Sequence, residues 1–136
     1  MLSGTVPCIR STNHNNGVYR YIAIGPNHKG NTITVNYNGS VAKAFYQPKP
    51  YFALDDVNVL YPKFNLNRHI ALFLINLIRK EQHRYNYSRK WILNRMNESI
   101  IKLPVDKKGS PDWQFMEDYI KSLPYSSSLP YSSSLN

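Results

Sequence analysis

The stretch HRYNYSRKW, residues 83–91, holds one histidine, three cations and three aromatic side chains in nine positions, with no acid. Widened to residues 79–95, it carries six cations (Arg79, Lys80, Arg84, Arg89, Lys90 and Arg95) against Glu81 alone. A helix solvated by charge normally mixes both signs, because opposite charges three or four residues apart support it. A single sign repels itself until a polyanion relieves it. Arg89 and Lys90 therefore read as phosphate contacts, with Tyr85 and Tyr87 interleaved and Trp91 more simply explained as a core residue.

The rest of the chain agrees. Its 136 residues carry a formal net charge of +9, which makes nucleic acid the first partner to consider and an acidic membrane surface the second. The charge is unevenly spread. Residues 1–54 contain five cations and no acid, residues 55–103 nine cations against four acids, and residues 104–136 three cations and four acids. A basic body with a tail that is not basic suggests two surfaces meeting two kinds of partner.

Catalytic patterns come close and fail. GPNHKGN places Gly25 and Gly30 at phosphate-loop spacing, but Asn31-Thr32 stand where Lys followed by Ser or Thr is needed. Pro111-Asp112 followed by EDYIK resembles a metal-dependent nuclease pattern, yet Glu117 and Lys121 are too far apart for it. Asp55-Asp56 are neighbours that point to opposite faces of a strand, so turn chemistry suits them better than acid–base work. His14, His28, His69 and His83 are scattered, and Cys8 is the single cysteine, which excludes an intrachain disulfide and a cysteine-based metal site. No cofactor, no metal and no catalysis by the chain itself are expected. Without a signal peptide pattern, and with the apolar run Ile70–Ile78 about half of a bilayer span, no membrane partner and a cytoplasmic location are expected.

The elements that position these residues divide by period. Residues 1–61 read as β-structure: VYRYIAI at 18–24, TITVNY at 32–37, SVAKAFY at 40–46, then YFAL and VNVLY around Asp55-Asp56. Asn38-Gly39 between two β-prone runs predicts a tight hairpin. Past Asn65 or Asn67 as possible N-caps, Ile70, Phe73, Leu74, Leu77 and Ile78 fall on one helical face, with the helix ending among residues 81–87. A short helix over 88–97 and a strand IIKLP follow. Ser110 as cap and Pro111 at the first position predict a last helix, whose Trp113, Met116, Ile120 and Leu123 form an apolar stripe. SLPYSS at 122–127 repeats at 128–133, a composition expected of a flexible tail.

The order of these motifs is recognisable. NNGVYRYI, KGNTITVNYNGSVAKAFYQPKPYFALDDVNVLYPK, IALFLINLIRKEQHRYNYSRKW and IIKLPVDKKGSPDWQFMEDYIKSL together resemble a target-recognition domain. The family is that of the DNA-specificity subunits of restriction–modification systems, type I and the type II enzymes built like BcgI. The resemblance covers about residues 13–123. Family domains usually begin with more sequence before the NNG loop, and complete subunits usually have two such domains.

The resemblance implies an α+β fold: a β-rich DNA target-recognition domain over 1–104 with a central helix, a linker and docking helix over 105–123, and the tail over 124–136. It implies double-stranded DNA as ligand, with methyltransferase and restriction subunits as protein partners, and itself or a second recognition domain to complete the subunit. The partner methyltransferase would flip and modify an adenine. Lys29, Lys43, Arg84, Arg89, Lys90 and Arg95 would hold phosphates. Base readers are sought among Asn13, Asn15, Asn16, Asn38, Ser40, Tyr46 and Gln47, since amides suit adenine, although asparagines also form turns. Trp113, Met116 and Ile120 would open the partner-docking helix. Competing readings are a single-strand or RNA-binding module that stacks bases on tyrosines, a non-catalytic assembly protein and, more distantly, a nuclease.

Overall fold

The structure is a computed structural model that describes residues 3–12, 14–36, 43–80 and 101–124. Among the described residues, two three-stranded sheets and two helices make an α+β fold, the class expected from the sequence. In the first sheet, β1 (Ser3–Ile9) runs between β2 (Val18–Ile22), antiparallel to it, and β5 (Phe52–Ala53), parallel to it. In the second, β3 (Thr32–Asn36) lies between β4 (Ala44–Gln47) and β6 (Val57–Leu60), both antiparallel. The helices are α1 (Arg68–Arg79) and α2 (Trp113–Ser122). Strand β1 carries little sequence signal because Gly4 and Pro7 interrupt its pattern. Gly4 is required where it stands, since a Cβ there would lie 2.1 Å from the Ile22 carbonyl oxygen, at the register shift between β1 and β2.

Alternation along β3 explains how the layers stack. Ile33 and Val35, with Ala44 and Tyr46 of β4, pack against Ile70, Ala71, Ile75 and Ile78 of α1. The alternate positions Thr32, Thr34 and Asn36 are equally buried and reach the other way. Thr32 Oγ1 pairs with Tyr51 Oη at 2.8 Å, Gln47 Nε2 donates to Thr34 Oγ1 at 3.2 Å, and Asn36 Nδ2 donates to Thr12 O at 2.9 Å. Burial pushes the Tyr51 phenol up to about 12, so it stays neutral. A second apolar cluster of Ile9, Tyr51, Ala53 and Val57 seals this side.

The helices show where local chemistry sets the ends. Asn67 caps α1 as expected, its side chain accepting from Ile70 N at 2.9 Å. That helix closes at Arg79, before the expected range. The anticipated helix over 88–97 and the Asn38-Gly39 turn lie outside the described residues, though β3 and β4 pair as a hairpin requires. Residues 101–104 form no strand, and only Val105 bridges to Pro111. The cap of α2 is Asp112, accepting from Phe115 N at 3.0 Å, rather than Ser110. The reason lies in the preceding turn. Asp106 accepts from the Lys108 and Ser110 amides at 2.8 and 3.0 Å, Gly109 takes φ +82°, and Asp112 N donates to Pro104 O. Ser110 and Pro111 are consumed by that turn, which delays the helix.

Helix α2 packs back on α1, with Met116 and Ile120 fully buried and Trp113 stacked on Phe64 at 4.0 Å. Met116→Ala should destabilise the fold by about 3 kcal/mol, the usual cost of emptying a closed apolar site. Phe115→Ala, on the outer face of the same helix, should cost under about 1 kcal/mol. Urea unfolding followed by circular dichroism checks both; equal losses would contradict the packing described.

Candidate nucleic-acid interface

The NNG motif forms a single 3₁₀ turn, Asn15–Gly17, between the two strands β1 and β2. Asn15, Asn16 and Gly17 take φ of 50°, 56° and 81°. Asparagine and glycine are the residues that visit this left-handed region at least cost, so the local sequence is what the backbone demands. Gly17 N donates to His14 O, and Arg10 N donates to Gly17 O at 3.1 Å, tying the turn to the end of β1.

Side-chain amides fix the turn from the other side. Asn16 Nδ2 donates to Tyr46 O at 2.9 Å and Gln47 Oε1 at 3.4 Å. Gln47 Nε2 returns a bond to Asn16 O at 2.9 Å while also donating to Thr34. Gln47 is thus a strut, 3% exposed, rather than a group open to a ligand. Tyr46 is also buried, and its hydroxyl donates to Asn31 Oδ1 at 2.7 Å while Asn31 Nδ2 donates to Leu66 O at 3.1 Å. Burial raises the Tyr46 phenol. Of the described amides expected to read bases, Asn15 is exposed, with Nδ2 on Val18 O at 3.2 Å, and Asn16 is half-buried. Asn13, Asn38 and Ser40 lie outside the described residues.

The GPNHKGN loop is built to present Lys29. Asn27 clamps β5, donating to Ala53 O at 3.2 Å and accepting from Ala53 N at 2.8 Å. His28 stacks on Tyr51 and shares a 2.7 Å hydrogen bond with Tyr61 Oη; desolvation lowers its pKa, favouring the neutral ring. Thr32 Oγ1 donates to Lys29 O at 3.1 Å. With the backbone held at both ends, the Lys29 side chain stands exposed. Lys43 is half-buried where the β3–β4 pairing begins, its carbonyl accepting from Asn36 N. Arg84, Arg89, Lys90 and Arg95 lie outside the described residues.

One cluster was missed by sequence reasoning. Arg10 and Arg20 both lie over the Tyr19 ring, at 4.8 and 5.1 Å from its centroid. Tyr19, Arg20 and Tyr21 are exposed in succession along the edge strand β2, directly after the NNG turn. Guanidinium groups resting on a tyrosine face are oriented without losing their donors, a geometry that suits phosphate recognition. The signal available in sequence was VYRY itself, a cation between two aromatics. Arg10 was invisible, because only the β1–β2 pairing brings it alongside.

The apolar stripe of α2 is directed inward. Met116 and Ile120 have no exposed surface, and Trp113 is half-buried against Phe64. The face left open carries Phe115 and Tyr119, each 48% exposed and edge-on to Phe73 of α1. Among the described residues, no group of three His, Cys, Asp or Glu side chains could hold a metal ion, and no helix is long and apolar enough to cross a membrane.

Comparison with known proteins decides the family. The model of the type I restriction modification DNA specificity domain matches residues 2–124. The chain belongs to this family. It is similar to the type II restriction enzyme BgcI specificity subunit S.BcgI of Heyndrickxia coagulans, with 38% identity over 122 residues, covering 88% of this chain and 36% of that protein. Its fold is similar to that of the S subunit of a type I restriction–modification system from M. genitalium, at TM-score 0.57 and 19% identity, covering 93% of this chain and 36% of that one. This specificity domain therefore spans about a third of the length of both relatives.

The strut role of Gln47 is testable. Gln47→Ala leaves buried polar groups on Asn16 and Thr34 without their partner and should cost about 1–3 kcal/mol. Asn15→Ala should stay within about 0.5 kcal/mol. Thermal melting, with amide hydrogen exchange at residues 14–18 as the local readout, distinguishes them.

Proposed function

We propose that this chain recognises a specific sequence in double-stranded DNA and serves as the specificity component of a restriction–modification system. In this reading it is itself non-catalytic and directs a partner methyltransferase and endonuclease to the site. The observation that carries the proposal is the rigid NNG turn, which offers Asn15 beside the Arg10–Tyr19–Arg20 cluster on the same pair of strands. A reader of base edges needs a few polar side chains on a fixed backbone, flanked by cations that set register on phosphates. Family membership and the similarity to S.BcgI support the same assignment.

The division of labour follows. Lys29, Lys43, Arg84, Arg89, Lys90 and Arg95, joined by Arg10 and Arg20, hold phosphates. Asn15, with Asn13, Asn16, Asn38 and Ser40, contacts bases, while Tyr46 and Gln47 support the loops that carry them. A second recognition domain, or a second copy of this chain, completes the functional unit. Partner subunits meet the open face of α2 at Phe115 and Tyr119. The cytoplasm, where the DNA is, is the place of action.

Exposed Tyr19 and Tyr21 also favour a second reading, a module that stacks single-stranded bases. Competition between a duplex and a single-stranded RNA of equal length separates the two. For duplex binding, neutralising about six phosphates gives a slope of log K against log salt near −5. Arg20→Ala should weaken binding to every sequence and make that slope shallower by about one. Asn15→Ala should alter base preference in selection from a random duplex pool and leave the slope unchanged. Equal effects of both variants on every sequence would refute the assignment.

A further inference from the structure

A cleft of about 340 Å³ opens beside the contact of β4 with α1, below the NNG turn, lined by His14, Asn15, Phe45, Leu72, Asn76 and Arg79 among others. Its lining is mixed, with Phe45, Leu72 and Ile75 as apolar members and His14, Asn15 and Asn76 as exposed polar ones. Arg79 is the unusual member. Its guanidinium is half-buried and sits over the Phe45 ring at 5.1 Å. Nε and Nη2 both donate to Ala44 O, at 3.3 and 2.9 Å. Desolvation lowers its pKa, and among the described residues that carbonyl is its only hydrogen-bond partner.

Among the described residues this half-buried cation is backed by one neutral carbonyl, which leaves donors that a ligand with acceptors can take. The stereochemistry narrows the ligand. The bonds to Ala44 O occupy the side-on donor pair of the guanidinium; its end-on pair, Nη1 and Nη2, is the second fork that an arginine can offer to two parallel acceptors. Guanine O6 and N7 provide such a pair on one base edge. A phosphate could also accept from that fork, but Asn15 and Asn76 beside it offer the paired donors and acceptors that meet base edges.

We infer that Arg79 is a specificity-determining residue that reads one guanine of the recognised duplex from this cleft, with Asn15 and Asn76 beside it to meet the adjoining base edges. This rests on the DNA-recognition reading above and adds to it a named base and a reader outside the asparagine set. Carbonyl and ring hold the fork before DNA arrives, so little conformational freedom is lost on binding.

The test uses the whole chain and a duplex selected by it from a random pool. Each guanine of that duplex is replaced in turn by 7-deazaguanine, which removes N7 and leaves the protein untouched. One position should weaken the wild-type chain tenfold or more, and Arg79→Lys, which keeps the charge and loses the fork, should be insensitive at that position. Circular dichroism of the variant confirms that its fold is retained, and the 7-deazaguanine series on the wild-type chain stands even if it is not. A wild-type chain insensitive at every guanine overturns the inference, as does a variant as sensitive as the wild type. Arg79→Ala weakened equally on all duplexes, with a salt slope shallower by about one, would make Arg79 a phosphate contact and also overturn the inference. If the wild-type chain selects no duplex, the DNA-recognition reading itself fails and this inference with it; every other failure leaves that reading standing.

Discussion

The fold depends on burying the polar face of one strand. Thr32, Thr34 and Asn36 of β3 are 0–1% exposed, and each would cost about 1–3 kcal/mol if left without a partner. Two of the partners, the Tyr51 hydroxyl and the Thr12 carbonyl, come from outside the second sheet, and the third, the Gln47 amide of β4, is itself tied to Asn16 outside it. Apolar packing alone could let two sheets slide or turn against each other, because it is not directional. Hydrogen bonds of defined length fix one alignment. The first sheet and the turn leading out of it are thereby registered on the second sheet, which α1 covers from the far side.

That constraint links scaffold to function. A surface that discriminates bases must hold its donors to a fraction of an ångström before the ligand arrives. The NNG turn meets this through left-handed backbone and reciprocal Asn16–Gln47 bonds, and the GPNHKGN loop through the Asn27 clamp. Side-chain amides therefore do the holding, Gln47 buried, Asn16 half-buried and Asn27 exposed, and in the proposed reading other exposed side chains are left to meet the ligand. Arg10, Arg20 and Arg79 follow the same rule in another form, each guanidinium resting on an aromatic ring.

Much of this was legible in the sequence, in proportion to how local the cause is. TITVN and the following run announced the β3–β4 pair, the Ile70–Ile78 periodicity announced α1, and Asn67 its cap. The end of α1 and the start of α2 were both misplaced, the latter because a competing turn around Asp106 takes Ser110 and Pro111 for its own backbone. Long-range causes were hidden. Alternation in TITVN would leave Thr32, Thr34 and Asn36 facing water, and only the stacking of a second layer buries them. Gln47 looked like a surface reader for the same reason and Tyr46 because α1 covers it from the other face, and Arg10 could not be placed beside Tyr19 without the β1–β2 pairing. Charge alone pointed to nucleic acid, and family resemblance narrowed that expectation to double-stranded DNA.

The most direct test of the central claim, that the rigid turn and its arginine–tyrosine flank form the DNA-facing surface, is a titration of the isotope-labelled chain with duplex DNA followed by amide resonances. The account predicts perturbations gathered on residues 10–20, 27–31 and 43–47. Perturbations confined to α2, or a uniform small drift across the chain, would contradict it.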